Sequence, residues 1–406
     1  MPTLTRRSAA AGRSAPSHSP IRTLLGELDA ELQRRREQRL FRTLSTLEAI
    51  DGPRIKLDGR WLVNWSSNDY LGLSQHPAII GAADAAMRRW GVGARASRLL
   101  AGSTAVHQDL EATLASFFRV DAALVFPTGY QTNLGALASL AGRGDLILLD
   151  RLCHASLVDA ARASGAALRV FHHNDPEHAA ALLRRYHGRR TLLVTEGVFS
   201  MDGDRAPLAE LIDAADRTGA VVYLDDAHGA FAAGATGRGT PEQAGVPMRR
   251  FLYMATLGKA LGCQGGFLAG PQTLVDAVRN RARTFTYTTA LAPPLAAAAA
   301  RAVRLVTETP ALRRALAQHS RRLCDRLAKA GCLPAGHVSH IVPVIVGEAG
   351  DACALAERLR GQGIFAPAIR PPTVSAGTAR LRLSVTALHT NEQVDELVYA
   401  LTKVKR

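Results

Sequence analysis

Lysine is nearly missing from this chain. Of fifty basic residues only Lys56, Lys259, Lys329, Lys403 and Lys405 are lysines, and arginine carries the rest. Arginine stays charged and does not act as a nucleophilic amine, whereas a lysine can lose its proton and form an imine. A chain that uses arginine wherever charge alone is needed draws attention to the lysines it keeps. Four of the five sit where a solvated charge suits: a turn region, a helix end and the C-terminal tail. Lys259 is the exception.

Other shortages exclude whole classes. The five cysteines, at 153, 263, 324, 332 and 353, form no C-x-x-C pair and no metal-ligand spacing. A disulfide framework and a zinc site are therefore not expected, and reduced thiols in a cytoplasmic protein are. Aromatic residues make up 5% and do not interleave with basic clusters, so the net charge of +15 does not describe a nucleic-acid face. A positive field that draws in anionic substrates or an acidic carrier protein fits better. The longest small-apolar run, TALAPPLAAAAARAV, is broken by Pro293-Pro294 and holds an arginine. It is a helix opened by proline, not a membrane span. The first twenty residues, MPTLTRRSAAAGRSAPSHSP, are rich in Ser, Ala and Arg without an acid. A transit peptide shares that bias, but an extension over 1–22 that stays disordered on a cytoplasmic protein is the expectation.

What is present is an alternation. Short apolar runs, DAALVF (121–126), DLILLD (145–150), LRVFH (168–172), TLLVTE (191–196), VVYLDD (221–226) and FLYMAT (251–256), are each followed by a turn or a helical stretch. This predicts an α/β fold with a largely parallel sheet covered by helices, whose ligands gather at the carboxyl ends of the strands. After residue 290 come two helical stretches (about 294–330), the strand-like HIVPVIVG, a helix near 351–361, then GIFAPAI, ARLRLSV and a last helix from Thr390. The expected division is an N-terminal helix and arm over 23–63, a large domain over 64–290 and a smaller α+β domain over 291–406.

Glu196, Asp225, His228, Thr256 and Lys259 all follow predicted strand ends. TLGKALG (256–262) is no phosphate-binding P-loop, because Ala260 follows the lysine and Tyr253 stands where the first glycine belongs. GVGARA (91–96) lacks the third glycine of a dinucleotide fingerprint. A lysine held near apolar residues can form a Schiff base, the link that pyridoxal 5′-phosphate requires, together with a carboxylate for its ring nitrogen. Successive strand residues face opposite ways, so Asp225 is expected to face the cofactor while Asp226 turns into local hydrogen bonds. His228 is expected near the ring's phenolic oxygen. Thr128-Gly129-Tyr130 opens a predicted helix whose free N–H groups suit the phosphate, although a plain capping turn has the same sequence.

These residues also match a family. SNDYLGL (67–73), TEGVFSMDGD (195–204), DDAHG (225–229), the lysine of TLGKALG and above all IRPPTVSAGTARLRL (369–383) resemble the α-oxoamine synthases, from roughly residue 40 to the end. The resemblance implies the aspartate-aminotransferase-like fold of pyridoxal-phosphate enzymes, fold type I, in a homodimer. It implies that Lys259 binds the cofactor covalently, Asp225 pairs with the ring nitrogen, His154 stacks on the ring, and His228 and Ser200 lie near the phenolic oxygen. Gly129, Tyr130 and Thr256 fall at cofactor-phosphate positions, with Thr288 and Thr289 reaching the phosphate of the neighbouring subunit. Arg370 and Asn68 would take the amino-acid carboxylate, with His154 helping to orient it, and Arg42 and Thr373 lie on the acyl side. The chain departs from its relatives in GVGARASRLLAGST (91–104), in Cys153 and Cys263, and in its N-terminal extension.

The implied reaction is the decarboxylative joining of L-alanine to a pimeloyl thioester, carried on coenzyme A or on acyl carrier protein. A sister synthase using glycine or serine with another acyl-CoA is the alternative. A basic nucleic-acid-binding protein is the reading from another class, and no metal or membrane enters any of them.

Overall fold

A computed structural model describes residues 20–404. Residues 1–19 of the expected extension lie outside the described residues. Its last three, 20–22, begin the helix Pro20–Glu37, which buries none of its residues.

Among the described residues, seven strands build the central sheet. From one edge to the other they are Ala122–Phe126, Gly266–Gly270, Phe251–Thr256, Val221–Asp225, Thr191–Glu196, Leu146–Asp150 and Ala167–Phe171. All run parallel except Gly266–Gly270, which is antiparallel to both neighbours. Ala122–Phe126, Leu146–Asp150 and Gly266–Gly270 are buried along their whole length, and the first two read as apolar runs for that reason. Six strands match the sequence expectation. Gly266–Gly270 was not expected: its two glycines leave only Phe267, Leu268 and Ala269 as apolar signal, and no helix precedes it.

A three-stranded sheet follows, in the order Ile341–Gly347, Ala379–Ser384, Ala368–Ile369. The helix Pro293–Glu308 starts with its two prolines, whose fixed φ suits a first helical turn. A four-stranded sheet, absent from the sequence reading, joins Ala49–Asp51, Arg54–Leu57 and Arg60–Asn64 to Ile364–Phe365. It ties the N-terminal segment to the C-terminal part of the chain. No described helix is long and apolar enough to cross a membrane.

Candidate active site

The parallel strands aim their carboxyl ends at one cavity of about 180 Å³, lined by Gly129, Tyr130, Asn133, His154, Ser156, Glu196, Asp225, Ala227, His228, Met254, Thr256 and Lys259. The register places Glu196 beside Asp225, and Asp225 beside Met254. Lys259 follows the strand Phe251–Thr256 in a turn closed by the Gly262 N–H donating to the Lys259 carbonyl.

The carboxylate of Asp225 is 5% exposed and held from both sides. Asn133 Nδ2 donates to its Oδ2 at 2.7 Å, and the Ala227 N–H donates to its Oδ1 at 2.9 Å. Asn133 is itself oriented: Tyr223 Oη donates to its Oδ1 at 2.9 Å, and its Nδ2 also donates to Ser156 Oγ at 2.9 Å. Ser156 Oγ lies 2.8 Å from His154 Nδ1. One chain of hydrogen bonds therefore fixes both the Asp225 carboxylate and the His154 ring. Asp226 points the other way, as strand alternation requires. Its carboxylate accepts from the Thr240 N–H at 2.9 Å, Thr240 Oγ1 at 2.8 Å and Tyr253 Oη at 2.9 Å.

Burial sets the charges. Lys259 is pushed down to about 8, chiefly because burial disfavours its ammonium form. Its Nζ lies 2.6 Å from His228 Nε2. Burial, then the positive charges of Lys259 and Arg382, hold His228 well below its usual range, so its imidazole is neutral. His228 Nδ1 lies 2.6 Å from Tyr70 Oη, which lies 3.1 Å from Asn68 Oδ1. Arg382 donates to both Tyr70 Oη and Asn68 Oδ1 at 3.3 Å. The set is satisfied when Lys259 donates to Nε2, Nδ1–H donates to Tyr70, and Tyr70 donates to Asn68. Burial and the adjacent Asp225 raise Glu196 well above the carboxylate range. Its Oε1 accepts from the His154 N–H. His154 is lowered, mainly by burial.

The expected residues are not all gathered here. Gly129, Tyr130, His154, Asp225, His228, Thr256 and Lys259 line the cavity. Tyr130 Oη donates to Asp159. Thr256 Oγ1 accepts from the Gly258 N–H at 3.1 Å and donates to the Gly265 carbonyl at 2.8 Å. Ser200 enters through its carbonyl, which accepts from Arg382 Nε. Asn68 is joined to Arg382, not to Arg370. The guanidinium of Arg370 instead donates to the carbonyls of Arg39 and Phe41. That contact staples the N-terminal segment, and Arg370 and Asn68, both expected at the amino-acid carboxylate, make no hydrogen bond to each other among the described residues. Arg42 donates to Thr373 Oγ1 at 3.0 Å, away from the cavity lining. Thr288 and Thr289 lie beside the exposed Tyr287 and outside their own chain's cavity.

Asn133, Ser156, Tyr223, Tyr70 and Arg382 were missed as site residues. Arg382 had a readable signal: ARLRLS sets two arginines on one face of a strand otherwise made of leucine, and Arg380 and Arg382 are both buried. Asn133 had little, since it is one of several polar residues, with Gln131, Thr132 and Ser139, in the same helix.

The donor set suits pyridoxal phosphate. It offers a buried amine, a buried and doubly anchored carboxylate, an imidazole beside that carboxylate, and a helix N-terminus at Gly129. Thr128 caps this helix, its Oγ1 accepting from the Gln131 N–H at 3.2 Å. A Cβ at Gly129 would stand 3.2 Å from Met254 Cε and 3.5 Å from Thr256, so glycine keeps the cradle open.

The family model for aminotransferase class I and II matches residues 60–401. The 8-amino-7-oxononanoate synthase of Geobacter sulfurreducens is 44% identical, over 92% of this chain and 96% of its own. That of Methylococcus capsulatus is 45% identical, over 89% and 94%. Among solved structures, serine palmitoyltransferase from S. paucimobilis, with PLP bound, has a TM-score of 0.90 at 30% identity, covering 96% of this chain and 99% of that one. The 8-amino-7-oxononanoate synthase of Francisella tularensis has a TM-score of 0.74 at 25% identity, covering 85% and 98%. With that cavity at the sheet's carboxyl edge and these relatives along nearly its whole length, the chain belongs to the aminotransferase class I and II family of fold-type-I pyridoxal-phosphate enzymes, among the 8-amino-7-oxononanoate synthases.

Proposed function

We propose that the protein joins L-alanine to a pimeloyl thioester, releasing carbon dioxide and the free thiol carrier, to form 8-amino-7-oxononanoate in biotin biosynthesis. The observation that carries this reading is the hydrogen-bonded line from Lys259 through His228 and Tyr70 to the Asn68–Arg382 pair. It runs from a titratable amine to a buried guanidinium that holds Asn68 and Tyr70 in place, an ordered wall on which an amino-acid carboxylate would dock.

Pyridoxal phosphate, when bound, supplies a carbonyl for amine attachment and a ring that takes up the electron pair freed at the α-carbon. Lys259 would hold it covalently, and its amine, when free, would be the base for the α-proton. A pKa of about 8 leaves part of the amine neutral near neutrality. Asp225 would pair with the ring nitrogen through its negative charge. His154 would lie over the ring and move protons, with His228 and Ser200 on the phenolic side. The N–H groups at Gly129 and Tyr130 and the Thr256 hydroxyl take the phosphate. Arg370 and Asn68 would take the alanine carboxylate, Asn68 being held in place by Arg382, and Arg42 with Thr373 would face the acyl substrate. Thr288 and Thr289 complete the phosphate site of a second copy, so the working unit is a homodimer.

The sister reading, glycine or serine with a longer acyl-CoA, draws on the 0.90 TM-score to a serine palmitoyltransferase. One assay separates the two. Alanine, glycine and serine are each offered with pimeloyl-CoA, pimeloyl acyl carrier protein and palmitoyl-CoA, and products are read by mass spectrometry. Alanine with a pimeloyl donor should dominate, and the preferred donor identifies the carrier. Preference for serine with palmitoyl-CoA would overturn the proposal.

A further inference from the structure

A second cavity, of about 600 Å³, opens between the helix Pro310–Lys329 and the loop 232–243. Arg205, Arg313, Arg314 and Arg321 line it, against a single acid, Glu242. That carboxylate is already engaged by the N–H groups of Thr236 and Arg238 and by Thr236 Oγ1. None of the four arginines makes an ion pair among the described residues, although the chain pairs many others. Arg313 is 8% exposed and pre-oriented, donating to the carbonyls of Val306 at 2.5 Å and Ala235 at 3.4 Å. Its Nε has no partner among the described residues, and neither has Nε2 of the equally buried His340 on the cavity wall. Arg314 and Arg321 are seven residues, or two turns, apart and exposed on one helix face, with Leu316, Ala317 and Ser320 between them on the cavity lining. Four uncompensated guanidinium groups repel one another, and the fold holds them together around a space of small-molecule size.

We infer that this cleft binds a compact multivalent oxyanion, a phosphate ester or polycarboxylate, away from the cavity at Lys259. Guanidinium forks match such anions bidentately. The lining has no Phe, Tyr or Trp ring, which leaves little platform for a nucleobase. Occupant and arginines would bridge the helix of the C-terminal part to a loop of the large sheet's module.

The test is calorimetric titration of the cofactor-loaded protein with pyrophosphate and with citrate, at about 0.15 M salt to screen non-specific attraction. Three proteins are compared: wild type, the exposed-site double variant Arg314→Ala/Arg321→Ala, and a control, Arg184→Ala/Arg185→Ala. Circular dichroism checks that each is folded. Saturable binding that weakens at least about tenfold in the cleft variant and not in the control supports the site. A preference for pyrophosphate identifies phosphate chemistry, and a preference for citrate identifies polycarboxylates. Equal affinity in wild type and cleft variant, or no binding by wild type at millimolar anion, overturns it.

Discussion

Two adjacent carboxylates end the strand at Val221–Asp225, and the pleat sends one into the cavity and the other into a cage of Thr240 and Tyr253. Asp225→Asn removes the charge facing the ring nitrogen. Turnover should fall on the order of 10²–10³-fold with the fold intact. Asp226→Asn should act on stability instead, because the amide puts an NH₂ where an oxygen accepts from Thr240 or Tyr253, and an unmet hydrogen bond in this buried cage costs roughly 1–3 kcal/mol. Steady-state kinetics beside thermal melts read both; equal losses of turnover would mean the faces are assigned wrongly. The arginines make a second pair. Arg370→Lys should raise the alanine KM about 10–100-fold, by loss of a two-pronged contact to the carboxylate. Arg382→Lys should lower stability as well as alanine affinity, because its guanidinium is engaged by Ser200, Asn68, Ser384 and Tyr70. An alanine KM that ignores Arg370 would remove it from the site. Lys259 was legible because lysine is scarce, and Asp225 because a charge cannot end a buried strand without a partner. Arg382 left a trace in ARLRLS that dozens of other arginines masked, and Asn133 shares its helix with Gln131, Thr132 and Ser139, so the sequence does not set it apart.

At the level of elements, the strand ends were readable and the reversed strand was not. Gly266–Gly270 enters after the Lys259 turn with no crossover helix, so the pattern that revealed its parallel neighbours gives no sign of it. Its first residue matters to the site. A Cβ at Gly266 would stand 2.5 Å from Thr132 Oγ1 and 2.6 Å from the Gly129 Cα, so backbone must move. Gly266→Ala should displace the helix start at Gly129, destabilise the protein by about 1–3 kcal/mol and weaken cofactor affinity. Fluorescence titration of the apoprotein with pyridoxal phosphate measures the second effect. Wild-type affinity in this variant would show that the phosphate is held elsewhere.

For the molecule as a whole, one histidine connects stability to pH. His173 lies between Asp150, at 2.9 Å, and Asp204, at 2.7 Å. Burial opposes its charge, but the two carboxylates outweigh it and raise it from 6.5 to about 10. A folded-state value above the unfolded one stabilises fully below about pH 6.5, and the contribution fades as pH rises through about 10. The stability advantage of wild type over His173→Gln should therefore shrink steadily across that window in urea melts. A gap that stays constant would mean that the imidazole is neutral in the folded protein.

Arg382 has a further consequence, one of timing. The residues that line the Lys259 cavity are all in place in the chain once synthesis has passed Lys259. The guanidinium tied to Asn68 comes about 120 residues later, on a strand near the C-terminus. At a synthesis rate of roughly 5–20 residues per second, that is a wait of roughly 6–25 s. During it, a nascent chain holds every residue of the cavity lining, while the arginine that fixes Asn68 and Tyr70 is still to come. The order of the sequence thus separates in time the appearance of the lysine from the ordering of the wall beside it.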